Sequence, residues 1–283
     1  MRTGPLILWR GTVHIFLPVR FEAIHVNFGG ETISLQHGFK QREICMTSKI
    51  GEIEAVIFDL DETLIDAQQG LNATHEKVAD LLLRFLGEKG VSVDQSRLEE
   101  AIRRIDDEMN RLVQYDRDLW WQKAVDSFRS NIRLPEPLVK TITDEYWKAY
   151  ECASVPYPDA IATLEYLRKE GYRLGIVTDD DGDVGRKRRR IRSLSFVDIF
   201  DTVIVSGDEV AERKPSPLPF LVAADKLGTS PRRCAVVGDK PFTDIEGGRK
   251  AGMTTILVVR RRWTSSIEAD YEITTLSELR TLL

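Results

Sequence analysis

Among all stretches of this chain, Val56-Ile57-Phe58-Asp59-Leu60-Asp61 most restricts what it can fold into, because an apolar run leads straight into two carboxylates two positions apart. A short apolar run ending in acids predicts a strand buried on both faces, with its carboxyl end at the edge where open α/β sheets place their ligands. Side chains alternate along extended backbone, so Asp59 and Asp61 point to the same side and can meet one substrate or one cation. The plainer reading is that acids at a strand end cap the next turn or helix. The rest of the chain decides between the two.

With 283 residues, 42% hydrophobic and 30% charged, the composition suits one large or two medium globular domains. A formal net charge of −5 argues against a general nucleic-acid binder. Cys45, Cys152 and Cys234 lie far apart without Cys-x-x-Cys spacing, which suggests a reducing compartment and neither a disulfide framework nor a zinc site. No apolar run approaches the roughly 18 residues that span a bilayer. The run Leu6 to Val19 is broken by Arg10 and His14, so it is not read as a signal sequence, and a cytoplasmic location is expected.

Residues 1–50 differ in texture from the remainder of the chain. Ile24, Val26 and Phe28 alternate before Gly29-Gly30, and Ile33 and Leu35 alternate after it, which predicts a hairpin. His14, His25 and His37 match no metal-ligand spacing and read as solvated or packed histidines. An alternative is that this segment is an extension absent from the native protein, with Met46 as the start.

Between Asp66 and Tyr172 four amphipathic helices are expected. The first is capped by Thr74, carries Val78, Leu81, Leu82 and Phe85, and is closed by Gly87 or Gly90. The second opens with a Ser96/Glu99 capping box and carries Leu98, Ile102, Ile105, Met109 and Leu112. Leu119, Trp120, Ala124 and Phe128 mark the third; Leu138, Val139, Ile142, Tyr146 and Tyr150 mark the fourth. A parallel crossover needs only about a dozen residues, so this connection holds an inserted helical domain. Trp120, Trp121 and Trp147 read as its core, with one of them open to a substrate role.

From Pro158 onward strands and helices alternate: strands at Tyr172 to Thr178, Thr202 to Val205, Arg233 to Asp239, Thr254 to Val258 and Tyr271 to Ile273, with helices between, one of them from Pro215 to Leu227. Repeated βα units imply a mostly parallel sheet covered on both faces. The expected organisation is therefore an α/β core over 51–68 and 156–283, an all-helical domain over 69–155, and the extension 1–50.

Several strand ends now carry polar groups on one sheet edge: Asp59 and Asp61, Thr178, and Asp239. Lys214, before Pro215, and Asp244, after Asp239, add to them. The set contains no suitably placed His or Cys nucleophile, and clustered carboxylates raise one another's pKa unless a divalent cation or a lysine sits among them.

In their order, Asp59-x-Asp61-x-Thr63, the strand ending in Thr178, Lys214 before Pro215, and Gly238-Asp239-x-x-x-x-Asp244 resemble the four motifs of the haloacid dehalogenase superfamily, from about residue 53 to the end. The helical insert is similar to that family's first type of cap. The resemblance implies a Rossmann-like, doubly wound parallel core, Mg2+, and a covalent intermediate on Asp59. Dehalogenases of the family lack the second acid; Asp61 is present, which favours phosphoryl transfer. The Glu212-Arg213-Lys214-Pro215 segment and the Trp-rich insert look most like the phosphatase branch. Mutases share the four motifs, so a sugar phosphomutase stays open.

The roles this implies are Asp59 as nucleophile and Asp61 as acid then base, with a pKa raised well above ~3.9. Thr178, Asp179 and Lys214 would hold the phosphoryl group. Mg2+ would be held by Asp59, the backbone carbonyl of Asp61, Asp239 and Asp244. The expected substrate is a small phosphorylated metabolite, with no membrane or nucleic-acid partner.

The chain also departs from the family. Asp179-Asp180-Asp181-Gly182 stands where relatives carry a single Asn or Asp and a small residue; Asp179 would shape the site, and Asp180 and Asp181 initiate the next helix. Lys240 stands where relatives carry a small residue, and either touches substrate or faces solvent. The run Arg186 to Arg192 reads as a solvated helix face partly neutralised by neighbouring acids. The competing function is a catalytically idle binding protein that uses this basic patch.

Overall fold

The computed structural model describes residues 52–128 and 131–283, together with the strand segments 6–9, 12–15, 23–28, 31–36 and 46–47. The chain divides into two units, residues 1–51 with 281–283, and residues 52–280.

In the first unit, β1 (Leu6–Trp9) pairs antiparallel with β2 (Thr12–Ile15). The hairpin is present as β3 (Ala23–Phe28) and β4 (Glu31–Gln36), with Val26 opposite Ile33. A short β5 (Met46–Thr47) adds to β2. Gly29, Gly30, His37 and Cys45 lie outside the described residues.

The second unit is built on a six-stranded parallel sheet. Its strands are β6 (Ala55–Phe58), β9 (Arg173–Asp179), β10 (Thr202–Ser206), β11 (Cys234–Gly238), β12 (Thr254–Val258) and β13 (Tyr271–Ile273). They lie in the order β10-β9-β6-β11-β12-β13. By position along the chain this is the Rossmann order, which reverses direction between β6 and β11 and opens a crevice at their carboxyl ends. Every residue of β6 is fully buried. Ala55 and Ile57 pack in one core with Phe220, Ala223 and Val236, so the strand reads as continuous apolar sequence because both of its faces are covered. The helices of this core are α5 (Ala160–Lys169), α6 (Arg186–Arg192), α7 (Leu218–Lys226) and α8 (Glu246–Lys250). The helix after Pro215 starts three residues later than its proline suggested, since Lys214-Pro215 is a cis peptide and Pro217 is the residue that leads into α7.

A two-stranded antiparallel pair, β7 (Ile65–Asp66) and β8 (Val155–Pro156), brackets the helical insert. Between them run α1 (Gln68–Glu88), α2 (Gln95–Arg111), α3 (Asp118–Asp126) and α4 (Glu136–Ala153). They share a core of Leu82, Leu86, Leu98, Ile102, Trp120, Trp121, Ile142 and Tyr146, among others. Two capping expectations are corrected. Thr74 lies inside α1, fully buried, with its hydroxyl toward the Tyr146 carbonyl at 3.4 Å. The cap of α2 is Asp94, whose carboxylate accepts from the Arg97 N–H, because Asp94 is the last extended residue before the helix. Gly90 follows α1 with φ +73°, a left-handed position suited to glycine. Leu119, expected on the apolar stripe, is exposed, and Trp121 and Val125 take the buried positions. Among the described residues no helix is long and apolar enough to cross a membrane.

Candidate active site

The crevice at the sheet reversal holds the acids delivered by β6 and β11. Phe58 is level with Val237 across the two strands, and the Asp59 N–H donates to the Val237 carbonyl at 2.9 Å, so Asp59 and Asp239 emerge side by side. Asp244 arrives from a single π-helical turn, Pro241–Ile245. That turn can approach because residue 238 is glycine: a Cβ there would lie 2.3 Å from the Cβ of Asp244. One carboxylate oxygen from each of Asp59, Asp239 and Asp244 falls within 4.8 Å of the others, and all three residues are buried.

Lys214 Nζ reaches this cluster from the other side, 2.6 Å from Asp59 Oδ1 and 2.7 Å from Asp244 Oδ1. One ammonium cannot neutralise three carboxylates. Burial pushes Asp59 up, with Lys214 opposing. Asp239 rises further, through burial first and then the nearby Asp244 and Asp59, in spite of Lys240. Asp239 Oδ1 accepts from the Thr63 hydroxyl at 3.3 Å, while its Oδ2 is buried without any partner. An orphaned carboxylate oxygen among hard oxygen donors with surplus negative charge is what a Mg2+-type cation fits.

At the end of β9, Thr178 and Asp179 are buried beside the same crevice. Asp179 ties three elements together: it accepts from the Tyr115 hydroxyl at 2.9 Å, from the Ser206 hydroxyl, and from the Lys214 N–H at 3.0 Å. Asp180 and Asp181 do not initiate α6, which is preceded by Gly185. Instead Asp180 accepts from the Gly182 N–H and pairs with Arg213. Asp181 turns inward.

The main departure from the sequence reading concerns Asp61 and the basic run. Asp61 does not join the three clustered carboxylates; the metal expectation there concerned its backbone carbonyl. Its carboxylate is held by Lys187, by Arg190 Nη2 at 2.7 Å and by the Tyr150 hydroxyl at 3.1 Å. The same two cations hold Asp181, Lys187 at 2.8 Å and Arg190 at 2.9 Å. Burial works to raise Asp61, yet Arg190 and Lys187 hold it well below the usual carboxylate range. Asp181 is lowered by the same pair against the same burial. The raised pKa anticipated for Asp61 is therefore reversed. The basic run is not a uniformly solvated face: Lys187 and Arg190, three residues apart and on one side of α6, are buried. That spacing was the available signal, concealed by the four other cations of the run.

The helical insert closes over these groups. Tyr150 and Trp147 of α4, Tyr115, Arg117, and His75 of α1 line the same cavity as Asp59, Thr178 and Lys214. Trp147 is thus the tryptophan facing it, while Trp120 and Trp121 belong to the core of the insert. Lys240 also lines the cavity and bonds Asn110 of α2 at 3.2 Å.

A family model described as haloacid dehalogenase-like hydrolase matches residues 53–252. The chain is 31% identical to a glyceraldehyde 3-phosphate phosphatase of Methanopyrus kandleri, over 75% of this chain and 86% of that protein. It is also 31% identical to a phosphoglycolate phosphatase of Aquifex aeolicus, over 73% and 85%. A crystal structure of a HAD phosphatase from Thermococcus onnurineus is similar at 32% identity and a TM-score of 0.57, covering 81% of this chain and 96% of that one.

Proposed function

Because the chain belongs to the haloacid dehalogenase-like hydrolases, we propose that it is a magnesium-dependent phosphatase that hydrolyses a small phosphorylated metabolite through an aspartyl phosphate on Asp59. The observation that carries this reading is the placement of Asp59 beside Lys214 and two further buried acids at the sheet reversal. Relatives named as phosphatases support it.

In the first step an Asp59 oxygen attacks phosphorus and the ester P–O bond breaks, leaving an alkoxide that takes a proton. In the second, water attacks the acyl phosphate, gives up a proton, and releases inorganic phosphate with Asp59 regenerated. Splitting the displacement suits a reaction whose uncatalysed rate is among the slowest known. Lys214 offsets charge on Asp59 and on the phosphoryl oxygens, and Thr178 binds one of those oxygens. Asp179 fixes the Lys214 backbone through its N–H. Asp59, Asp239 and Asp244, with the Asp61 carbonyl, would hold Mg2+, which when bound supplies positive charge that neutralises the phosphoryl oxygens. Residues 69–155 act as a cap that shields the acyl phosphate from bulk water.

Asp61 is the proton carrier of this scheme. Held by Lys187 and Arg190 it is ionised, the form that accepts a proton from attacking water. To donate a proton to the leaving alkoxide it must first loosen from both cations.

A panel of phosphomonoesters assayed with Mg2+ and with a chelator tests the proposal. Phosphate release is expected only with the metal, and Asp59→Asn is expected to be inactive. Full turnover by Asp59→Asn would sink the covalent route, and phosphate transferred within a sugar without release would make the protein a mutase.

A further inference from the structure

Four buried cations face the cavity, and three have carboxylates within ion-pair distance: Lys187, Arg190 and Lys214. Arg117 is as deeply buried, 8% exposed, and no carboxylate of the described residues lies within ion-pair distance of it. Its Nη1 donates to the Tyr115 carbonyl at 2.9 Å and its Nε has no partner. The guanidinium lies over Trp120 at 4.0 Å and Trp147 at 4.8 Å. Asp106 and Asp181 act on it only from beyond ion-pair reach. Asp106 is already engaged, through Oδ2 with His75 Nε2 at 2.9 Å and through Oδ1 with Asn110. Aromatic faces offset part of the desolvation of a buried guanidinium, but a charge removed from water calls for an opposite charge.

Two other buried polar atoms without partners line the same cavity: His75 Nδ1 and Trp147 Nε1. With Asp106 accepting from His75 Nε2–H, Nδ1 carries a lone pair and accepts from a hydroxyl. Trp147 Nε1 can only donate. Three elements thus present a planar cation, a neutral donor and an acceptor to one space, all unused.

Resting on the phosphatase reading, the geometry points to a second anion subsite in the helical insert, centred on Arg117, which receives a carboxylate or a second phosphate carried by the organic part of the substrate. Trp147 Nε1 donates to the same anionic group or its neighbour, and His75 Nδ1 accepts from an adjacent hydroxyl. Arg117 accordingly sets specificity: phosphate esters of neutral alcohols lack the group it pairs with.

The test uses non-cleavable ligands on the full chain with Mg2+, read by tryptophan fluorescence or calorimetry. Alkylphosphonates of graded chain length are compared with the same chains ending in a carboxylate or in a second phosphonate. At one chain length the second anion is expected to tighten binding about tenfold or more, and the better of the two termini identifies the group. Arg117→Met is expected to remove most of that gain, and Arg117→Lys to retain part of it. Should Arg117→Met fail to fold, the Arg117→Lys loss carries the comparison. The subsite is overturned if no chain length shows the gain, or if the gain survives both substitutions. Binding needs no turnover, so a protein that cleaves no ester yet shows the Arg117-dependent gain loses the phosphatase reading and keeps the subsite.

Discussion

Asp59 and Asp61 stand two residues apart on one strand end, yet they belong to two electrostatic regions of opposite character. Around Asp59 the acids outnumber the cations, with Asp239 and Asp244 beside it and Lys214 alone among them. Around Asp61 the charges balance, two carboxylates against Lys187 and Arg190. The first carboxyl is pushed up and the second held well down. Burial is common to both, so the counter-charge decides the sign. The acid-rich region has room for a cation and for the charge of a phosphoryl group it neutralises, whereas the balanced region is already satisfied and keeps Asp61 fixed until something competes for its partners.

Removing Lys214 should unbalance the first region most. Lys214→Met leaves buried acids with no cation, a change that costs about 3–5 kcal/mol where a buried pair is broken. Because Asp59 and Asp239 already have raised pKa values, the folded variant relieves repulsion by binding protons. The deficit measured by urea unfolding is therefore expected to be largest near neutral pH, to shrink as pH falls, and to shrink also on adding Mg2+. A deficit that ignored both pH and metal would mean that the acids do not form one electrostatic unit.

In the balanced region, Arg190→Met leaves Lys187 to serve two carboxylates, and a loss of about 2–3 kcal/mol is expected. Asp61 and Asp181 have depressed folded-state pKa values, so the stability they contribute is present above their unfolded value of ~3.9 and lost as pH falls through the folded one. Arg190→Met raises the folded value, and the acid unfolding limb should move to higher pH. Adding Asp181→Asn to Arg190→Met should recover part of the loss, since one carboxylate then remains for one ammonium. Strict additivity of the two substitutions would argue against the pairing.

Gly238→Ala tests how the acid-rich region is assembled. The added Cβ would meet the Asp244 side chain at 2.3 Å, inside any real contact. A cost of about 1–3 kcal/mol is expected, as for an overpacked core, together with weaker Mg2+ binding because Asp244 is displaced. Unchanged metal affinity in a destabilised variant would separate the role of Gly238 in packing from its role at the site.

The two regions were unequally legible in sequence. Strand ends carry Asp59, Thr178 and Asp239, and a parallel sheet brings strand ends together by construction, so apolar runs ending in polar residues were enough to find them. The Rossmann order followed from alternating βα texture for the same reason. The balanced region depends on which side of α6 meets Asp61. A run with cations at Arg186, Lys187, Arg188, Arg189, Arg190 and Arg192 has no apolar contrast to mark its inner face, and only Ile191 interrupts it. Arg117 and Tyr115 were invisible because the turn between α2 and α3 has no periodicity, and their place over the crevice is a product of how the helices of the insert pack.

The smallest expected effect comes from Glu62, which lies next to Asp61 with φ 66°. Its Oε1 accepts from the Ala67 N–H at 2.9 Å, and burial raises its pKa to about 7 against that bond, with Asp66 and Asp61 adding to the rise. A carboxyl with a raised folded pKa binds more protons folded than unfolded between about pH 4.5 and 7, so stability falls as pH rises through that window. Glu62→Gln keeps an acceptor for Ala67 and removes the titration. In metal-free protein the variant should gain about 1 kcal/mol relative to wild type between pH 5 and 7.5, and nothing below the unfolded pKa. A difference that does not vary with pH would place the Glu62 charge in solvent. A difference that disappears on adding Mg2+ would show that the cation held by Asp59, Asp239 and Asp244 also compensates Glu62, extending the acid-rich region one residue past Asp61 and leaving the balanced region enclosed on both sides along the loop.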